Sequence, residues 1–373
     1  MEKIAKAFLV MCLALGISIY MEAQVINVNV TGVAELHAGN YQFGDIQWQL
    51  SYDGYEYEDI ENATDTVYSF VPEGNFYYRA RISYGDCPDD YSQVCHVLVS
   101  PEGTINGLFS VGDKKKVYFS QGNLQYIGSA TTPYWMFAKR QWEYLGDNGQ
   151  EIDGSPTVDR DLFCWGTSGY NHGAVKYRPW DFCDTGAHLE YYYAYGNPDK
   201  SLFDETGKAD WGYNAIANGG NKENQWRTMK WDEFDYLVNV RDTPSGIRYA
   251  KGMVDGVRGL ILLPDYWRDD YHHLNSTNNP HAYFDTNIIT AYEWYHCFES
   301  HGAVFLPCSG GRYFDGYTTG YGGEGDYWFS NKGNDMWWSA YAIQFFRENL
   351  VMVDYIDRSW GYAVRLVLDY VVE

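Results

Sequence analysis

Apolar residues in this 373-residue chain come in short runs, broken every few positions by Gly, Asn, Asp or Pro, and this punctuation limits the fold more than any other feature. Runs of that length suit strands of about 5–6 residues and are too short for most helices. In the first hundred residues the runs also alternate with period two. Ile26-Asn27-Val28-Asn29-Val30, Ile46-Gln47-Trp48-Gln49-Leu50 and Phe76-Tyr77-Tyr78-Arg79-Ala80-Arg81-Ile82 each place apolar side chains on one face, and Asp53-Gly54 and Pro72-Glu73-Gly74 mark turns between them. This predicts a small all-β sandwich over residues 24–100. Ser100-Pro101-Glu102-Gly103 then interrupts the pattern, and a second domain is expected over residues 104–373. Only two stretches there carry a helical repeat. One covers residues 230–240, with Trp231, Phe234, Leu237 and Val238 on one side and Thr228 as its expected cap; the other covers residues 290–300.

The first 23 residues read differently. Lys3 and Lys6 precede an apolar run from Ala7 to Tyr20, and Ala23 stands before Gln24. A basic start, a short apolar centre and a small residue at the end make a secretory signal peptide, with cleavage expected after Ala23. The run falls short of the about 20 apolar residues that a membrane span needs. Cys12 is preceded by Met11, where lipidation calls for a small residue. The chain is therefore expected to be exported, secreted, periplasmic or on the cell surface, with no transmembrane span.

Export makes disulfides permissible. Six cysteines follow the leader, and proximity in sequence suggests Cys87 with Cys95, Cys164 with Cys183 and Cys297 with Cys308. A formal charge of −23 argues against nucleic acid or an anionic membrane as partner, because a phosphate backbone is bound by clustered Lys and Arg. The one basic cluster, Lys114-Lys115-Lys116, reads as a solvated turn. The 36 Tyr and 14 Trp point towards recognition, since their large, stiff side chains lose little entropy on contact.

The second domain carries a series of phrases in order. They are Val117-Tyr118-Phe119-Ser120-Gln121-Gly122-Asn123-Leu124-Gln125-Tyr126, Phe163-Cys164-Trp165-Gly166-Thr167-Ser168-Gly169-Tyr170, Asp210-Trp211-Gly212-Tyr213-Asn214 and Trp226-Arg227-Thr228. Gly259-Leu260-Ile261-Leu262-Leu263-Pro264-Asp265, Phe305-Leu306-Pro307, Tyr327-Trp328-Phe329-Ser330 and Gly361-Tyr362-Ala363-Val364-Arg365-Leu366-Val367 complete the series. Together these resemble the Fibrobacter succinogenes major paralogous domain family over nearly all of residues 104–372. The resemblance implies an α+β C-type-lectin-like domain, with a twisted antiparallel sheet, two helices and long loops, related to formylglycine-generating enzymes and to retroelement-diversified lectin-fold proteins. The stretch from Trp48 to Arg79 resembles the immunoglobulin-like modules of secreted Bacteroidetes-type proteins, which implies Trp48 as a buried core residue. Ile261-Leu262-Leu263 and Val364-Arg365-Leu366-Val367 read as buried central strands, with Arg365 turned inward onto a carboxylate.

Catalytic and metal-binding patterns are weak. A formylglycine-generating enzyme needs paired cysteines near the end of the domain, and no cysteine follows Cys308. Cys164 with His172 has the residue types of a nucleophile and base, but exported thiols tend to oxidise, so a disulfide half and a loop histidine are the favoured reading. His296 and His301 are five apart, whereas a zinc helix uses four, so with Cys297 and Cys308 they read as packing residues. Asn278-Asn279-Pro280, Asn334-Asp335 and the acidic loop over residues 147–154 lack the order and spacing of calcium sites. The adjacent acids Asp232-Glu233 and Asp269-Asp270 do not by themselves define a glycosidase pair. No catalytic residue, metal or cofactor is assigned.

The densest array of binding-type side chains lies near the end of the chain. Trp337, Trp338, Tyr341, Gln344, Arg347, Asp354, Tyr355, Asp357, Arg358 and Trp360 form the candidate ligand-binding set. Along residues 340–346 apolar side chains occupy both parities, so one face is expected to be exposed. The expected function is an exported or surface-associated recognition protein that binds a protein or glycan ligand through this region. A hydrolase or oxidase on the same scaffold is the alternative.

Overall fold

The computed structural model describes residues 24–29, 33–39, 43–52, 54–73, 75–145, 157–172, 175–176, 178, 199–204, 206–269, 271–313, 317–334, 336 and 338–370. The leader over residues 1–23, the acidic loop at 147–154, Cys183, Asp270, Asp335 and Trp337 lie outside the described residues. The chain divides into two compact units, with the boundary between Val99 and Ser100.

The first unit contains β1 (Gln24–Asn29), β2 (Ala34–His37), β3 (Asp45–Ser51), β4 (Glu58–Asp59), β5 (Val67–Phe70), β6 (Phe76–Ser83), β7 (Asp90–Tyr91) and β8 (Cys95–Ser100). A six-stranded sheet runs in the order β1-β8-β6-β3-β4, with β7 also paired to β6, and β2 and β5 form a separate ribbon. Alternation decides which side chains enter the core. Leu36, Trp48, Ala80 and Val97 are buried, and Trp48 pairs in register with Ala80. Trp48 stacks on Tyr68 of the ribbon at 5.9 Å, and its indole N–H donates to the Asp65 carbonyl at 2.9 Å. One side chain thus joins the two sheets of this unit.

The second unit is closed by its own C-terminal strand. β9 (Thr104–Gly112), β10 (Lys115–Ser120), β16 (Arg227–Thr228) and β27 (Leu366–Tyr370) form a sheet in the order β16-β27-β10-β9, so the last strand lies between two earlier ones. β11 (Leu124–Ile127) pairs with β12 (Tyr134–Phe137), and β14 (Asn171–His172) with β15 (Val175–Lys176). β17 (Tyr249–Val254), β18 (Val257–Leu262), β19 (Ile288–Ile289) and β20 (Val304–Pro307) make a second four-stranded sheet, ordered β19-β17-β18-β20. A third sheet joins β13 (Phe163–Cys164), β26 (Gly361–Tyr362), β21 (Gly311–Arg312) and β22 (Thr318–Thr319) in that order. β23 (Glu324–Lys332), β24 (Ser339–Phe346) and β25 (Asn349–Asp357) form a three-stranded antiparallel meander.

Two of these sheets are covered on both faces. On β18 and β20, Leu260, Leu262, Val304 and Leu306 face one apolar cluster, while Ile261, Leu263 and Phe305 face another. Ile261, Leu262 and Leu263 are all inaccessible to solvent, as the unbroken apolar run predicts. β24 behaves in the same way: Ala340 and Ala342 enter a third cluster, while Tyr341, Ile343 and Phe345 enter the one containing Leu260. The expectation that one parity of this strand is exposed is therefore corrected.

The α+β C-type-lectin-like expectation, with its two helices, is overturned as well. Strands account for 42% of the residues and helix for 9%, and the strands are spread over many small sheets. α1 (Trp231–Asp235) passes into a π-helical turn, Tyr236–Val240. α2 (Ala291–Glu293) does likewise at Trp294–Phe298 and ends in a 3-10 turn, Glu299–His301. Phe234 and Leu237 enter one apolar cluster, and Trp294 and Phe298 another. These short segments fill core margins rather than forming a layer. Thr290 caps α2 by accepting from the Glu293 N–H, while the Glu293 carboxylate accepts from the Thr290 N–H. Thr228 does not cap α1; it lies in β16, where its N–H and hydroxyl both donate to buried Asp210. No helix among the described residues is long and apolar enough to cross a membrane.

Buried charge ties the second unit together. Glu233 accepts from Arg227 at 2.7 and 3.0 Å and from Lys115, and Arg227 also binds Asp369 on the closing strand. Lys116 pairs with Asp265 at 3.0 Å, so two of the three basic-cluster lysines have carboxylate partners instead of forming only a solvated turn. Arg365 is buried as expected, but its Nη2 donates to the Gln141 amide oxygen at 2.9 Å. Among the described residues it has no carboxylate partner within ion-pair distance, which corrects the expected pairing. Gln141 in turn donates to Glu299 at 2.9 Å, so an amide stands between the two charges.

Candidate functional site

Four strands of the second unit meet around one recess. β23 has an extended backbone, so Glu324 and Asp326, two residues apart, lie on the same face. β24 is antiparallel to it and sets Gln344 in register with Asp326. β21 brings Arg312 opposite Gly361 of β26, and Tyr362 follows on the same strand. Gly311, Arg312, Tyr313, Thr319, Glu324, Asp326, Gln344, Trp360 and Tyr362 line a small recess of about 40 Å³.

Two glycines keep this recess open. A Cβ on Gly361 would lie 2.6 Å from Arg312 Nε, so the guanidinium rests directly on bare backbone. A Cβ on Gly311 would lie 2.9 Å from the Tyr362 ring and 3.1 Å from Asp326 Oδ2.

The charges in the recess are incompletely matched. Arg312 is 1% exposed, and its Nη2 donates to Cys164 Sγ at 3.4 Å. Its Nε and Nη1 are buried without a hydrogen-bond acceptor among the described residues. A guanidinium does not lose its proton in proteins, so these are charged donors held without an acceptor. Asp326 is 2% exposed and accepts from Gln344 Nε2 at 2.9 Å; the same nitrogen lies 3.0 Å from the Tyr362 hydroxyl. Burial, followed by the neighbouring Glu324 charge, pushes the Asp326 carboxyl up to about 7, against the pull of the Gln344 hydrogen bond. Burial also raises Glu324. The Tyr362 phenol is raised by burial and then by the charges of Asp326 and Glu324. Tyr313 and Trp360 meet edge to face at 4.6 Å and form an aromatic wall.

Of the ten residues singled out in the sequence, the structure brings Gln344 and Trp360 together in this recess. Tyr341 is buried and stacks on Trp231 at 5.3 Å. Arg358 is also buried, with its guanidinium 4.4 Å above Trp165 and its Nε donating to the Ser339 carbonyl. Trp338 is half-buried against the cluster that contains Trp165. Asp357 accepts from the Ser359 N–H and hydroxyl, shaping the turn after β25. Asp354 is half-buried and Tyr355 is 60% exposed, both on β25. Arg347 lies over Tyr283 at 4.6 Å in a separate recess with Arg258 and Asp285. There Tyr283 already donates to Glu348, and Arg258 to the Gly322 carbonyl.

Arg312, Glu324, Asp326 and Tyr362 were missed by the sequence reading. The available signal was the glycine density around them: Gly310 and Gly320 both adopt left-handed backbone conformations, and Gly311 and Gly361 allow close approach.

The other candidates from the sequence do not assemble into a site. Cys87 is an exposed thiol, Cys297 a half-buried one and Cys308 a buried one, so the expected 87–95 and 297–308 bridges are absent. Cys308 and Cys297 face different apolar clusters, which explains the missing second bridge. Cys164 lies buried beside the Ser359 carbonyl. His301 stacks on Tyr271, and His296 on Tyr292. Asn278 bonds the Arg248 N–H and the Gly246 carbonyl, and Asn334 donates to the Tyr341 hydroxyl. Among the described residues no three acidic, His or Cys side chains converge as a metal site.

Comparison with known proteins adds one finding about the first unit. A family model described as a domain of unknown function (DUF8696) matches residues 20–101. A search of curated proteins finds no match to the chain.

Proposed function

We propose that this chain is an exported recognition protein that holds part of a protein or glycan ligand in the recess lined by Arg312, Asp326, Gln344 and Trp360. The observation supporting this reading is a buried guanidinium with two unused N–H groups in a pocket that also has an aromatic wall. An unmet buried donor is destabilising by itself, and an incoming acceptor relieves it. Export rests on the leader-like segment over residues 1–23, and the first unit, in which the sequence shows no catalytic pattern, serves as a spacer.

The test is capture of the full-length protein on glycan and peptide arrays, comparing wild type with Trp360→Ala and Tyr355→Ala. Trp360→Ala is expected to lose capture at least tenfold, whereas Tyr355→Ala, on the exposed face of β25, retains it. Loss with Tyr355→Ala alone would move the binding surface out of the recess and refute the assignment.

A second reading has its own support. Two carboxyls with raised proton affinity in one recess have the properties of a general acid and base. Turnover of a captured glycan that disappears in both Glu324→Gln and Asp326→Asn, with capture intact, would favour a hydrolase.

A further inference from the structure

The recess makes two electrostatic demands of opposite sign, and neither is met by a charged partner among the described residues. Among the described residues Arg312 lacks an acceptor for Nε and Nη1, whereas buried Arg241 has the Asp265 carboxylate at 2.9 Å; Arg365 also has an unpaired Nε, but its Nη2 donates to the Gln141 oxygen at 2.9 Å. On the other side, burial raises both Asp326 and Glu324, the Glu324 charge raises Asp326 further, and among the described residues the side-chain donor to Asp326 is the neutral amide of Gln344. An anion alone would satisfy the guanidinium while facing two carboxyls. A cation alone would satisfy the carboxyls and leave the guanidinium unmatched.

Resting on the recognition reading above, we infer that the group entering the recess is a compact zwitterion, with its carboxylate or phosphate on Arg312 and its ammonium on Asp326 and Glu324. The fork of a guanidinium suits a planar or tetrahedral oxyanion. The recess, at about 40 Å³, admits only a small charged head group and not a long chain. Tyr313 and Trp360 provide faces against which an ammonium is attracted. The cradle is also specific in its backbone, since any side chain at position 361 would displace the guanidinium.

The experiment is calorimetric titration of the full-length protein with L-serine and O-phosphoethanolamine as zwitterions, acetate and methylamine as single-charge fragments, and glucose as a neutral control. At least one zwitterion is expected to bind ten or more times tighter than every fragment, and whichever of the two does so identifies the anionic end as carboxylate or phosphate. Its affinity should rise at least fivefold from pH 5.5 to pH 8 in the wild-type protein. Among the lining groups, Asp326, which burial and the Glu324 charge push up to about 7, gains charge over that interval, facing Glu324, Arg312, Tyr313 and Tyr362 across the recess. Arg312→Gln should weaken zwitterion binding at least tenfold, and Asp326→Asn should abolish the pH dependence in a variant chosen to keep the Gln344 hydrogen bond. Zwitterions binding no tighter than acetate, methylamine or glucose would overturn the inference, as would an affinity flat with pH. If array capture still required Trp360 in that case, the recognition reading would stand and only the ligand class would fall.

Discussion

Asp326→Asn should make the protein more stable at neutral pH, and the size of the gain follows from the position of the carboxyl. An unfolded aspartate releases its proton near 3.8, whereas folded Asp326 holds it until about 7. Between those values the folded chain binds a proton that the unfolded chain has lost, so stability falls as pH rises. The slope is about 1.4 kcal/mol per pH unit, giving about 4 kcal/mol lost between pH 4 and pH 7 and a plateau above. Asparagine has no such proton, keeps an oxygen to accept from Gln344, and removes the repulsion of Glu324. Wild type and variant are therefore expected to match at pH 4 and to diverge progressively, with the variant ahead by up to about 4 kcal/mol at pH 8. Urea titrations of the full-length protein at pH 4, 6 and 8, followed by tryptophan fluorescence, measure the difference directly. Contributions from other carboxylates cancel in the comparison. A difference that does not change with pH, or a variant less stable at pH 8, would refute the reasoning.

Three further outcomes follow from other parts of the structure. Glu233→Gln should cost about 3 kcal/mol in thermal or urea unfolding, because it removes the buried carboxylate that pairs with half-buried Arg227 and with Lys115; Arg227 and Lys115 hold the Glu233 carboxyl below the usual range, so the penalty should shrink as pH falls below about 4. Trp48→Ala should destabilise the first unit by about 3–5 kcal/mol, seen as an earlier transition in calorimetry, because it leaves a cavity between the two sheets. Thiol labelling of the native protein should modify Cys87 quickly and Cys297 more slowly, and reach Cys308 only on denaturation, since burial shields Cys308 and pushes its thiol up; labelling of none of them before reduction would show that bridges form after all.

The sequence was most legible where the physics is local. Alternation placed Trp48 and Ala80 in a core, an unbroken apolar run marked Ile261, Leu262 and Leu263 as buried, and helical spacing located the two short helices. It was misleading where the outcome depends on what covers a surface. Both parities of β24 are buried because a second apolar cluster lies beyond its other face, and no feature within residues 339–346 reports that. The family-like phrases misled about architecture for a related reason: the one over residues 163–170 is built around two glycines with left-handed backbones, Gly166 and Gly169, and so reports turns. They do not report how sheets are stacked. The recess was invisible because Arg312 and Asp326 come from different strands, linked through β26 and through the bridges Gly310–Gly325 and Tyr327–Ala363.

The recess also shows why its contents are better explained by binding than by stability. Two buried carboxylates elsewhere in the second unit are matched closely: Asp265 accepts from the Ser110 N–H and hydroxyl and from Arg241, and Glu233 from Arg227 and Lys115. The same fold therefore satisfies buried charge where strands and helices bring partners together. In the recess it keeps a guanidinium against bare glycine backbone and two carboxyls apart from any cation, at the expense worked out above for Asp326. Replacing any of these groups with an apolar side chain of similar size would be an easy route to a more stable domain. Their joint presence in one solvent-reachable pocket is the arrangement expected when the missing partner arrives from outside, since the ligand then recovers in affinity what the empty site loses in stability.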